Sequence, residues 1–152
     1  MAIPTRQQSF ELLWHHNVPD NVIRHSIVVS RVAARICGAL QKEGVKVDSV
    51  LVDRACILHD IAKISAKQKG VGHEQLGHEI LKKHGYDEVA RIVLKHALHY
   101  ILDKKNAPKT IEEKIVYYAD KRVMHHKIVE LKVRIDDLKL RYPQYKDEIK
   151  KS

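Results

Sequence analysis

Eleven histidines stand in a chain of 152 residues, and two aspartates lie among apolar neighbours as some of these histidines do. His25 shares a helical face with Val22, Val29, Val32 and Ile36, and His59 shares one with Leu51, Ala55, Leu58 and Ala62. His96 lines up with Val89, Ile92 and Val93, and Asp120 with Val116, Tyr117 and Val123; Asp60 follows His59 directly. An apolar stripe of helical spacing faces the interior. There an unpaired carboxylate is costly and needs a partner or a metal. A lone inward histidine is more often a hydrogen-bonded core residue than a ligand. A lone inward aspartate is as often a cap or ion pair as a functional group. Three imidazoles and two carboxylates on four different helices are what a divalent ion in a helical bundle requires. No thiolate stands among them, which favours Mn, Fe, Co, Ni, Mg or catalytic Zn over a structural zinc site.

The remaining histidines carry less. His73 opens a helix beside a glycine-containing loop, and His78, five residues on, faces another side. His99, one turn beyond His96, fits a site or a surface position. His15, His16, His84, His125 and His126 sit near helix ends and read as solvated or capping groups.

The elements that must position these groups are helices. Glycine and proline are few, 6 and 4, and fall between the periodic segments; no useful run alternates as a strand would. The spacing predicts helices from Thr5 to about His16, from Pro19 or Asp20 to about Glu43, and from Asp48 or Ser49 to about Ile64. The stretch 65–72 reads as a flexible loop, with Lys67 and Lys69 placed to cover a site as a lid. Further helices follow from His73 to His84 and from Asp87 to about Leu102. A polar loop leads to one opened by a Thr110/Glu113 capping box and reaching about His125. A last helix from about Ile128 carries Leu131, Ile135 and Leu138 on one stripe until Pro143 ends or bends it. The expectation is one all-α domain over 1–152, about six or seven helices, with 128–152 a C-terminal helical extension. The stripe of that extension fits packing on the body or a homodimer. Phe10, Trp14, Cys37 and Cys56 read as core.

Composition narrows the class. Hydrophobic residues make up 44% and charged residues 31%, which argues against disorder, and no apolar run is long enough to span a membrane. The N-terminus has no signal-peptide core, and two cysteines make no metal-binding pair, so the expected place is the cytoplasm. The net charge of +9 suits an anionic substrate or a polyanionic partner, although a solvated lysine surface gives the same number. Aromatics are only 5%, so stacking platforms for single strands are not evident.

On these residues the chain resembles the HD superfamily of metal-dependent phosphohydrolases. The pattern is His25, then the adjacent His59-Asp60 in ILHDIAK, then Asp120 in YYADKRV, in order and in helical context over about residues 5–125. An isolated His-Asp pair would be a weak signal; the whole set is a strong one. The segment resembles the HDIG type, with Ala62 in place of its glycine. The resemblance implies metal held by His25, His59, Asp60 and Asp120, which acidifies a water to attack phosphorus and polarises a phosphoryl oxygen. In the dinuclear branches Asp60 bridges two ions, and His73 and His96 match the histidines that hold the second. Lys63 stands where mononuclear nucleotidases and alarmone hydrolases carry an acid. As in the dinuclear branches, it can lie over the substrate phosphate and stabilise developing charge. Read by itself it is a lysine at a helix C-terminus. Small HD hydrolases that split diadenosine tetraphosphate symmetrically share the arrangement. The cyclic-dinucleotide branch is disfavoured because no GYP motif occurs.

The expected activity is therefore hydrolysis of a phosphoester or phosphoanhydride in a small anionic, nucleotide-like substrate. Asp60 and Lys63 are its catalytic groups, Lys63 its substrate contact, and one or two divalent ions its cofactor. The competing expectation is an HD-fold regulatory or nucleic-acid-binding protein with weak catalysis.

Overall fold

Side-chain caps open three of the helices, where Thr5, Asp48 and Thr110 accept from free backbone N–H groups. The structure, a computed structural model, describes residues 2–97 and 104–141. Helix α1 (Arg6–His15) opens on a capping box in which Thr5 Oγ1 accepts from the Gln8 N–H at 3.0 Å and Gln8 Oε1 from the Thr5 N–H at 2.9 Å. Helix α2 (Asp20–Lys42) follows Pro19 and stops before Gly44, whose φ of 81° is left-handed. Asp48 caps α3 (Ser49–Leu58) by accepting from the Leu51 N–H. Then come α4 (Lys63–Lys69), α5 (His73–Lys83) and α6 (Asp87–Leu94). The capping box expected at Thr110 and Glu113 opens α7 (Ile111–Lys121). A small antiparallel hairpin, β1 (Val123–Met124) and β2 (Lys127–Ile128), pairs Val123 with Ile128, and α8 (Leu131–Arg141) packs against α7.

The bundle is all-α apart from that hairpin. Helix α3 lies at its centre, against α1, α2, α6 and α7. Every residue from Ala55 to Ala62 is buried, so the His59-Asp60 pair enters the middle of the core. Leu13, Val29, Ile57, Leu58, Leu81, Val93 and Val116 belong to one continuous apolar cluster around it.

Three boundaries differ from the sequence reading. Helix α3 ends at Leu58 rather than near Ile64, and residues 65–69 of the loop expected at 65–72 are helical, as part of α4, in place of a flexible lid. The cause lies at His59. Its Nδ1 donates to the Cys56 carbonyl at 2.6 Å, an acceptor that the N–H of residue 60 would take in a continuing helix, and the chain tightens into i→i+3 turns. The helix expected to reach Leu102 ends at Leu94, where His96 Nδ1 takes the Val93 carbonyl in the same way. His96 thus occupies a turn, not a helical stripe. Helix α7 ends at Lys121, and His125, with a left-handed φ of 58°, turns the hairpin.

Trp14 is not core: it is 62% exposed, and Phe10 is half-buried beside it. The buried face of α1 is Ser9, Leu12 and Leu13, and one further residue rotates about 100° away from that face. Cys37 and Cys56 are buried as expected. In the C-terminal extension Leu131 and Ile135 are half-buried. Pro143 and the stripe beyond it lie outside the described residues.

Glu113 ties α6 to α7. Its carboxylate accepts from the backbone N–H groups of Thr110 and Lys109 and from Arg91 Nε at 3.0 Å, with Lys95 Nζ at 3.3 Å. Burial would raise its carboxyl, but those donors outweigh burial and hold it at about 2. A folded-state value below the unfolded 4.5 means stability present above pH 4.5 and lost as pH falls toward 2. Glu113→Gln is expected to cost roughly 2–3 kcal/mol in urea unfolding at pH 7. The gap from wild type should shrink between pH 4.5 and 2; a gap constant across that window would contradict the ion-pair account.

Candidate metal centre

Two groups of three ligands meet around Asp60. His25, His59 and Asp120 offer ligand atoms within 4.8 Å of one another, and so do Asp60, His73 and His96. Asp60 Oδ2 faces the first group, at 3.2 Å from His59 Nε2 and 3.8 Å from His25 Nε2. Its Oδ1 faces the second, at 3.6 Å from both His73 Nε2 and His96 Nε2. One carboxylate thus presents an oxygen to each side, the disposition of a bridging ligand.

The backbone orients the rings. His25 Nδ1 donates to the His125 carbonyl at 2.6 Å, His59 Nδ1 to that of Cys56, and His96 Nδ1 to that of Val93. With Nδ1 protonated, a neutral imidazole keeps a lone pair on Nε2. Those lone pairs converge on carboxylate oxygens: His25 Nε2 lies 2.9 Å and His59 Nε2 3.3 Å from Asp120 Oδ1, and the Nε2 atoms of His73 and His96 are 3.1 Å apart. Where Nε2 carries no proton of its own, acceptor faces acceptor in a buried space, and a positive charge, proton or metal, is called for between them. His59 Nε2 is buried with no hydrogen-bond partner, although its ring is otherwise fixed. The donor set of imidazole nitrogens and carboxylate oxygens therefore fits a divalent ion at each group.

Electrostatics say the same. Burial would lower the His59 pKa, but Asp60 and then Asp120 outweigh it and push the imidazole up to about 10. Burial works to raise both aspartates; His59 holds Asp60, and Lys121 with His25 holds Asp120, well below the usual carboxylate range. His73 goes the other way, down to about 4, through burial and the neighbouring His96.

The six ligand residues expected from the sequence are thus brought together. Lys63 is the first residue of α4, exposed, three positions past Asp60; its backbone N–H bonds the Asp60 carbonyl at 3.0 Å, and its side chain makes no hydrogen bond or ion pair with another described residue. His78 lies apart, donating from Nδ1 to the Ala90 carbonyl at 2.8 Å and so joining α5 to α6. His99 lies outside the described residues. Sequence reasoning missed two contributors. Lys121 is buried, with Nζ 3.0 Å from Asp120 Oδ2, 3.5 Å from the His96 carbonyl and 4.3 Å from the Tyr117 ring centre. Its signal was the i,i+4 spacing from Tyr117 on an otherwise inward face. His125, read as a solvated end, contributes its backbone carbonyl, for which no side-chain pattern exists.

A helical bundle that gathers two His/Asp triads around one shared aspartate defines a metal-site class of protein. Residues 22–124 match the HD domain family, and the chain belongs to it. A tRNA (cytidine(56)-2'-O)-methyltransferase of Picrophilus torridus is 34% identical over 88% of this chain and 40% of its own length. An uncharacterised protein of Methanocaldococcus jannaschii is 32% identical over 74% of this chain and 72% of its own. The dihydroneopterin 2',3'-cyclic phosphate phosphodiesterase of the same organism is 30% identical over 88% of this chain and 57% of its own. The chain thus spans about two fifths of the methyltransferase and just over half of the phosphodiesterase. No solved structure gave a significant match. Among the described residues no helix is long and apolar enough to cross a membrane.

Metal must displace the proton that His59 holds in the metal-free protein. Adding Mn²⁺ at pH 7 is expected to release roughly one proton per chain in a pH-stat titration, with release fading as pH rises through about 10. Tight binding with no proton release at pH 7 would contradict this reading of the site.

Proposed function

We propose that this chain is a metal-dependent phosphohydrolase that cleaves a phosphoester or phosphoanhydride of a nucleotide-like substrate. The observation that carries the reading is Asp60, with one oxygen turned to each ligand triad. The family supports it, and so does a relative named as a cyclic phosphate phosphodiesterase.

His25, His59, Asp60 and Asp120 would hold one ion, and Asp60, His73 and His96 a second. Divalent ions in such a setting supply Lewis acidity toward a phosphoryl oxygen and lower the pKa of water. The protein residues do the rest. The backbone carbonyls of Cys56, Val93 and His125 fix three imidazoles with Nε2 inward, so little reorientation is needed on binding. Lys121 keeps Asp120 ionised and aimed. The surrounding core buries His25, His59, Asp60, His96 and Asp120, while His73 stays partly open to solvent. Lys63 carries a free cation one turn from Asp60, suited to the charge that builds on the phosphoryl oxygens.

The test combines elemental analysis with a phosphoester panel in Mn²⁺. Wild type is expected to hold about two ions per chain and to turn over a nucleotide-like substrate, whereas Asp60→Ala should lose metal and turnover together. His96→Ala is expected to keep about one ion. Lys63→Ala should keep both and lose roughly 10²-fold in kcat. An active, metal-free Asp60→Ala protein would sink the proposal.

A second reading has two observations in its favour: the chain matches part of a protein named as a tRNA methyltransferase, and its net charge is +9. On that reading it is an RNA-binding module with little catalysis. Gel-shift titrations with tRNA should then show affinity falling steeply between 50 and 200 mM salt, as counterion release requires. Absent or salt-insensitive binding removes this reading.

A further inference from the structure

We propose that a cavity beside Asp60 receives an uncharged planar heterocycle bearing an amide or amidine edge, as a nucleobase does, and that Asn17 and Gln68 read that edge. The cavity has a volume of about 280 Å³ and lies between the α1–α2 connection, the start of α2, the Asp60–Ile61 turn and α4. Asp60 belongs to the cavity wall and to the triad with His73 and His96, and its Oδ2 faces the other triad, so a group seated there lies against the candidate metal centre. The volume is just below the roughly 300–1,000 Å³ of pockets that hold a whole ligand, and suits part of one.

The lining decides the chemistry. Val18, Pro19, Val22, Ile61 and Ile64 supply apolar walls. No lysine or arginine lines the cavity, although the chain carries 28 of them, so an anionic group seated there would meet no cationic side chain of those types. The ionisable lining residues are Asp60, already engaged with the triads, and His16, which burial and then His15 and His84 bias toward the neutral form. The polar remainder is neutral: Asn17, Ser65 and Gln68. Their side chains make no hydrogen bond with another described residue, which leaves two amides and a hydroxyl for a ligand. An amide offers a donor and an acceptor side by side, the complement of a base edge such as that of adenine. Asn17 is presented by a left-handed backbone, φ 54°, which Asn tolerates better than most residues, while its N–H is bonded to the Trp14 carbonyl. The anionic part of the same substrate would then lie at the Asp60 end; this orientation, though not the pocket, rests on the hydrolase reading.

The test uses the full chain and ligands without phosphate. Adenosine, guanosine, cytidine and uridine are titrated and followed by ligand-observed NMR. At least one is expected to bind, and the double variant Asn17→Gly, Gln68→Ala should weaken it about tenfold or more, the loss of a bidentate amide contact. Glycine at 17 keeps the left-handed backbone available, and an unchanged unfolding midpoint shows that the fold is retained. No nucleoside bound by wild type, or binding untouched in the double variant, overturns the pocket. Nucleoside binding in a protein that hydrolyses no phosphoester keeps the pocket and overturns the hydrolase reading instead.

Discussion

The arrangement depends on a conflict of like polarity. His25, His59 and His96 each give Nδ1–H to a backbone carbonyl, which leaves an Nε2 lone pair pointing inward. Asp60 and Asp120 point their oxygens into the same space from other segments. A buried cluster of acceptors has no internal solution except a cation, whether proton or metal. The rise of the His59 pKa to about 10 is the protonic answer to that conflict, and the divalent ion is the other. Lys121 supplies the permanent positive charge that lets Asp120 stay ionised in the core.

The same hydrogen bonds shape the fold. By taking a carbonyl three residues back, His59 ends α3 and His96 ends α6 at the level where their rings meet, 5.1 Å between centres. The turn after α3 then swings Asp60 so that its two oxygens face opposite sides, and starts α4 along the cavity wall. Helix termination and ligand presentation are thus one event. Around it the ties are ordinary: apolar contact of α3 with its neighbours, and the Glu113 carboxylate that joins α6 to the start of α7.

Charge is sorted in space. The chain is strongly basic, yet the cavity next to the centre is lined by apolar and neutral polar groups. The relatives bear different names, and the chain covers only part of most of them, so the HD unit is best read through its own site.

Much was legible in the amino-acid order. Helical periodicity placed Val22, His25 and Val29, or Val116 and Asp120, on inward faces because periodicity reports which residues leave water. The capping box at Thr110 and Glu113 was legible because its bonds are local. Five of the six residues gathered around Asp60 were marked by the same patterns, and His73 by the HD resemblance alone. Tertiary structure alone decided where α3 and α6 stop, because that depends on an imidazole rotamer fixed by its buried surroundings. It alone exposed Trp14, buried Lys121 between Tyr117 and Asp120, and brought the His125 carbonyl to His25. His25 and Asp120 are 95 residues apart in the chain and 2.9 Å apart in space. No local rule encodes such a distance; it arises when helices that share one apolar core settle against one another.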